Sequence, residues 1–67
     1  METFSERLKE LRCEKNLSQA QLAKLTGLSK SAIAFWEVGA RSPNAQAIII
    51  LARFFGVTSD YLLGLSD

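Results

Sequence analysis

Between Lys15 and Arg53 the chain carries five cationic side chains, Lys15, Lys24, Lys30, Arg41 and Arg53, against one acid, Glu37. Positive charge concentrated in this way attracts polyanions, above all a nucleic-acid backbone. The acids are segregated from it. Glu2, Glu6, Glu10 and Glu14, four of the seven acidic residues, recur every four positions, so a helix would carry them as one stripe that a phosphate backbone avoids. The net charge of +1 is therefore less informative than its distribution.

Other chemistry is excluded by inventory. The sequence has no histidine and one cysteine, Cys13, so it builds neither a Cys/His zinc cluster nor an internal disulfide. No nucleophile stands beside a base, no carboxylates cluster for a metal, and no glycine-rich loop offers a phosphate cradle, which argues against an enzyme and against a cofactor or small-molecule ligand. Cys13 is expected to be a reduced thiol without a functional role. Glu2, Glu6, Arg7 and Lys9 argue against a signal peptide, and no apolar run approaches the roughly 20 residues of a membrane span, so the expectation is a cytoplasmic chain with no membrane partner.

The elements that must position the cationic residues read as helices throughout. No stretch alternates apolar and polar residues with the period of two that a half-buried strand needs. Thr3 and Glu6 are spaced as a capping box, followed by Phe4, Leu8 and Leu11 on one side of a first helix. Ser18 and Gln21 repeat that spacing before Leu22, Ala23 and Leu25, and Gly27 ends the second helix. Ser29 caps a third helix through Ile33 and Trp36, closed by Gly39. Ser42, Pro43 and Asn44 start a fourth helix that Gly56 ends, and Thr58 or Ser59 caps a short fifth. The expected helices cover 3–15, 18–25, 29–38, 44–55 and 58–63 of a single domain, 1–67.

The second and third helices are joined by only about three residues including a glycine, the arrangement of a helix-turn-helix, in which the second member enters the DNA major groove and the first braces it. Ala23 is small where the helices cross, Gly27 permits the turn, and Leu22, Leu28, Ile33 and Trp36 form the apolar seam between them. Ile33 and Trp36 are thus core residues and not groove contacts.

The stretch LSQAQLAKLTGLSKSAIAFWEVGARSPNAQ, with the closing GVTSDYLLG, resembles the phage repressor and Cro-like helix-turn-helix transcriptional regulators of the XRE type. The matching positions are Ala23, Gly27, Ile33, Trp36-Glu37, Gly39, Pro43, Gly56-Val57 and Asp60-Tyr61-Leu62-Leu63-Gly64, which cover nearly the whole chain. The resemblance implies an all-α, five-helix lambda-repressor-like domain that binds double-stranded operator DNA as a homodimer and represses transcription.

Residue by residue, the resemblance implies that Gln19 contacts the DNA backbone and that Lys30 and Ser31 meet base edges. Lysine can donate to guanine O6 and N7, serine pairs with several bases, and the helix N-terminus at Ser29 suits a phosphate. Arg41, with Ser42 and Asn44 beside it, lies where family members commonly touch the backbone; Lys24 is better read as a solvated surface lysine. Ala34 and Phe35 occupy the same face one turn on. The family more often has a polar or basic residue in place of Phe35, so this pair either presses on thymine methyl groups or, for Phe35, packs against a neighbouring helix. Arg12 and Glu37 match a structural ion pair between the first helix and the end of the recognition helix; the alternative is two solvated charges.

Ile48, Leu51, Ala52 and Phe55 share one arc of the fourth helix, whereas Ile50 and Phe54 project away from it. With Ile49, Tyr61 and Leu65 they are expected either to form a two-fold homodimer interface facing a pseudo-palindromic operator, or to cover the core from the flank. A helix-turn-helix fold kept as a protein-interaction adaptor is the rival function, supported by the apolar Ala34, Phe35 and Val38.

Overall fold

Each helix begins where a short polar side chain takes a backbone N–H that the helix itself leaves unsatisfied. The computed structural model describes residues 3–66, and among them α1 (Phe4–Glu14), α2 (Gln19–Thr26), α3 (Lys30–Glu37), α4 (Ala45–Phe55) and α5 (Ser59–Leu62) account for all regular structure. Thr3 Oγ1 accepts from Glu6 N at 3.3 Å while Glu6 Oε1 accepts from Thr3 N at 3.1 Å. Ser18 and Gln21 make the same reciprocal pair at 3.0 and 2.7 Å. Ser29, Asn44 and Thr58 cap α3, α4 and α5 through single bonds to Ala32 N, Ala47 N and Tyr61 N. The bonds from Thr3 N–H and then Thr3 Oγ1 hold the Glu6 carboxyl below its ordinary range, so this cap is intact at neutral pH and is lost as pH falls through the lowered value.

The core takes one fully buried side chain from every helix: Leu8, Leu22, Ile33, Leu51 and Leu62. Trp36, Ala47 and Ala52 complete it, with Phe4 edge-on to Trp36 at a centroid distance of 6.2 Å. Because no helix can bury its apolar side alone at this length, the core closes only when all five are docked. The α3 helix packs on both α1 and α2, which fixes its orientation from two directions.

Of the two settings expected for Ile50 and Phe54, the monomer shows the flank of the core: both are half-buried, and Phe54 packs against the core and edge-on to Phe55 at 5.1 Å. The Lys15 ammonium lies 5.9 Å from the Phe54 ring centroid, so the end of α1 covers it. An α4 helix packed against both α2 and α5 buries a wider arc than one stripe. The exposed apolar side chains in this part of the molecule are Ile49 and Leu65, at 47% and 70% exposure.

Arg7 was assigned nothing by its position in the sequence, yet it is buried. Its Nη1 donates to Tyr61 O at 3.0 Å and to Ser66 O at 2.9 Å, and its guanidinium lies 4.1 Å from the Tyr61 ring centroid. Arg7 thereby fastens the turn after α5 to α1. On the acidic helix, Glu6, Glu10 and Glu14 are exposed as the stripe requires; Glu2 lies outside the described residues.

Candidate nucleic-acid interface

Gly27, Leu28 and Ser29 join α2 to α3. Gly27 adopts φ +76° and its N–H donates to Ala23 O at 2.9 Å, a left-handed termination that side chains with a Cβ disfavour. Thr26 locks the turn from within: its hydroxyl donates to Leu22 O at 2.7 Å and accepts from Leu28 N at 3.3 Å. The sequence offered no signal for this role beyond a threonine at a helix end.

With Ile33 and Trp36 buried, α3 turns Lys30, Ser31, Phe35 and Val38 outward, with Ala34 half-buried between them. Phe35 is exposed, and the Arg41 guanidinium from the following loop lies 4.5 Å from its ring centroid. The starts of α3 and α4 border one open groove of about 340 Å³, whose lining includes Leu28, Ser29, Trp36 and Asn44, so two helix N-termini with their outward N–H groups stand on either side of it.

Arg12 and Glu37 are joined as a bidentate pair. Arg12 Nε donates to Glu37 Oε2 at 2.7 Å and Nη2 to Glu37 Oε1 at 2.9 Å, while Nη1 donates to Leu17 O at 2.7 Å. The side chains are 14% and 4% exposed, which excludes the solvated alternative. The Glu37 hydrogen bonds raise the Arg12 value, against a smaller opposing effect of burial. A raised base contributes stability that is present below its unfolded value and disappears only as pH rises through the folded one, so on the arginine side the pair stays intact across the neutral range. Gln19 Nε2 also donates to Glu37 Oε1, at 3.2 Å, so its amide is anchored in this network.

The sequence-selected residues fall into distinct settings. Lys30, Ser31, Ala34 and Phe35 share the outer face of α3, Arg41 joins them through Phe35, and Ser29 and Asn44 border the groove. Ile50 lines that same groove, Phe54 sits beneath Lys15, Tyr61 lies under Arg7, and Leu65 is exposed. Those four therefore have separate surroundings in the monomer.

A short brace helix, a glycine turn and an outward-facing second helix define a helix-turn-helix protein. The helix-turn-helix family pattern matches residues 8–62, and the chain belongs to this family of phage repressor-like regulators. It is 45% identical over 60 residues to the transcriptional activator BcrR of Enterococcus faecalis, covering 90% of this chain and 29% of that protein. Its fold matches the P22 c2 repressor in a crystal structure with a synthetic operator, at TM-score 0.89 and 30% identity over 98% of this chain and all of that one. The restriction-modification controller protein C.AhdI of Aeromonas hydrophila matches at TM-score 0.80 and 38% identity over 90% and 91% of the two chains. The chain spans 28% to 57% of the lengths of the curated relatives it matches here.

Removing one partner of the Arg12–Glu37 pair leaves a charge with little water around it. Glu37→Ala is expected to lower unfolding free energy by about 2–3 kcal/mol, somewhat under the range for fully buried pairs because Arg12 keeps some exposure. The double replacement Arg12→Met/Glu37→Leu should recover most of that loss in urea titrations; a double variant as unstable as the single one would show that the pair supplies net attraction.

Proposed function

We propose that this chain is the sequence-specific DNA-binding module of a cytoplasmic transcriptional regulator, acting as a repressor rather than as an enzyme and inserting α3 into the major groove of a pseudo-palindromic operator. The observation that carries the reading is the outer face of α3, where Lys30 and Ser31 stand exposed at the helix start and Arg41 is held over Phe35 further along, while the acidic stripe lies on α1. Lys30 and Ser31 meet base edges, and Ala34 with the rim of Phe35 faces thymine methyl groups. Ser29, Arg41 and Asn44 take phosphates at the edges of the groove, helped by the helix N-termini. Gln19 approaches the backbone from the start of α2, its amide nitrogen oriented by Glu37.

The P22 c2 repressor, solved in complex with a synthetic operator, shares the fold at 30% identity, which supports DNA as the partner. Two copies would then present two α3 helices about one DNA turn apart. The homodimer contact is built on the exposed Leu65 and Ile49, to which Ile50, Phe54 and Tyr61, half-buried in the monomer, add only the part of their surface left open.

Binding of a labelled random-sequence duplex should weaken steeply with salt, because each phosphate contact releases condensed counterions. Arg41→Ala should lower the slope of the log–log plot by about one, whereas Lys30→Ala should relax base preference in a selection from random DNA with little change of slope. Affinity that ignores salt, or no binding at low salt, would overturn the reading in favour of a protein partner. For the dimer, Leu65→Glu is expected to yield a monomer by analytical ultracentrifugation without loss of the fold; a variant that sediments as a dimer would remove Leu65 from the interface.

A further inference from the structure

The end of α3 brings a cation back over its own recognition face. After Val38 the chain reverses through Gly39 at φ +76°, with Gly39 N donating to Trp36 O at 3.2 Å and Ala40 N donating to Phe35 O at 2.9 Å. This paired closure sends the following residues back along the helix instead of away from it. Arg41 arrives with its guanidinium carbon 4.5 Å from the Phe35 ring centroid, within the range of a cation–ring contact. Both residues are exposed, and among the described residues no acceptor takes the Arg41 N–H groups. The guanidinium thus lies over an aromatic ring with its donors available. Beyond Lys30 and Ser31 at its start, the outer face of α3 offers Ala34 and Val38 beside Phe35, and neither has a side-chain donor.

Building on the DNA-binding reading above, we infer that Phe35 is a positioning residue for Arg41: the ring holds the guanidinium against the recognition helix so that its donor edge meets an acceptor oxygen of the DNA. Free arginine side chains lose rotamer freedom on binding, and a stacked guanidinium has lost part of it beforehand. Phe35 thereby supplies polar recognition at a position whose own side chain is apolar. The acceptor is a phosphate oxygen or guanine O6, and the two leave different signatures. A phosphate contact appears in the salt slope for every sequence, and a guanine contact appears as a preference at one base pair.

The test uses a duplex selected by the unaltered chain from a random library, with Phe35→Leu, Phe35→Tyr, Arg41→Ala and the Phe35→Leu/Arg41→Ala double variant. Phe35→Leu keeps apolar bulk for a methyl group and removes the ring, so it should weaken binding by about threefold, the size of an exposed cation–ring contact. Phe35→Tyr should match the unaltered chain, and Phe35→Leu should have no further effect once Arg41 is alanine. Selection and salt slope, repeated with Arg41→Ala, identify the acceptor. Additive losses in the double variant, or full affinity in Phe35→Leu, would overturn the inference while leaving the DNA-binding reading intact. Failure of the unaltered chain to select any duplex would overturn both.

Discussion

The bidentate contact between Arg12 and Glu37 is the constraint on which the orientation of α3 depends. Glu37 is the last residue of α3, Arg12 lies in the last turn of α1, and the same guanidinium holds Leu17 O in the connection to α2. Gln19 completes the junction from the first residue of α2. Three helices are therefore tied at one nearly dry point, and apolar packing alone would not select that geometry so sharply, because it is non-directional. Buried ion pairs add little net stability, so the gain from this one lies in fixing an angle. The hydrophobic seam of Leu22, Ile33 and Trp36 then supplies the stability that the polar junction does not.

The exposed face of α3 follows from the same constraint. Once Ile33 and Trp36 are inward and Glu37 is tied to Arg12, Lys30, Ser31, Phe35 and Val38 have only the outer side left to occupy. Such a face combines a few donors with apolar area, a mixture suited to base edges and thymine methyl groups. The reversal at Gly39 adds Arg41 to it from beyond the helix end.

Much of this was legible in the sequence because it is local. Thr3 with Glu6, Ser18 with Gln21, Ser29, Asn44 and Thr58 mark helix starts by interactions spanning three residues, and glycines at 27, 39 and 56 mark ends by a backbone requirement. The ion pair was legible through family resemblance. What failed depends on neighbours distant in sequence. Helical spacing left Ile50 and Phe54 open between an interface and the flank of the core, because the spacing of one helix cannot tell how many others surround it, and α4 packs on both α2 and α5. Buried Arg7 escaped notice because its acceptors, Tyr61 O and Ser66 O, are main-chain atoms with no residue signature. The stacking of Arg41 on Phe35 arises from a chain reversal whose glycine was visible but whose direction was not.

The central claim is that the molecule meets DNA through the start of α2, the outer face of α3 and the loop leading to α4. Titrating a selected duplex into the isotopically labelled chain and following backbone amide shifts tests it across the whole surface at once. The account predicts the largest changes at Gln19, from Ser29 to Phe35 and from Arg41 to Asn44, with the acidic side of α1 unmoved. Changes concentrated instead on the acidic side of α1, with α3 unmoved, would contradict it.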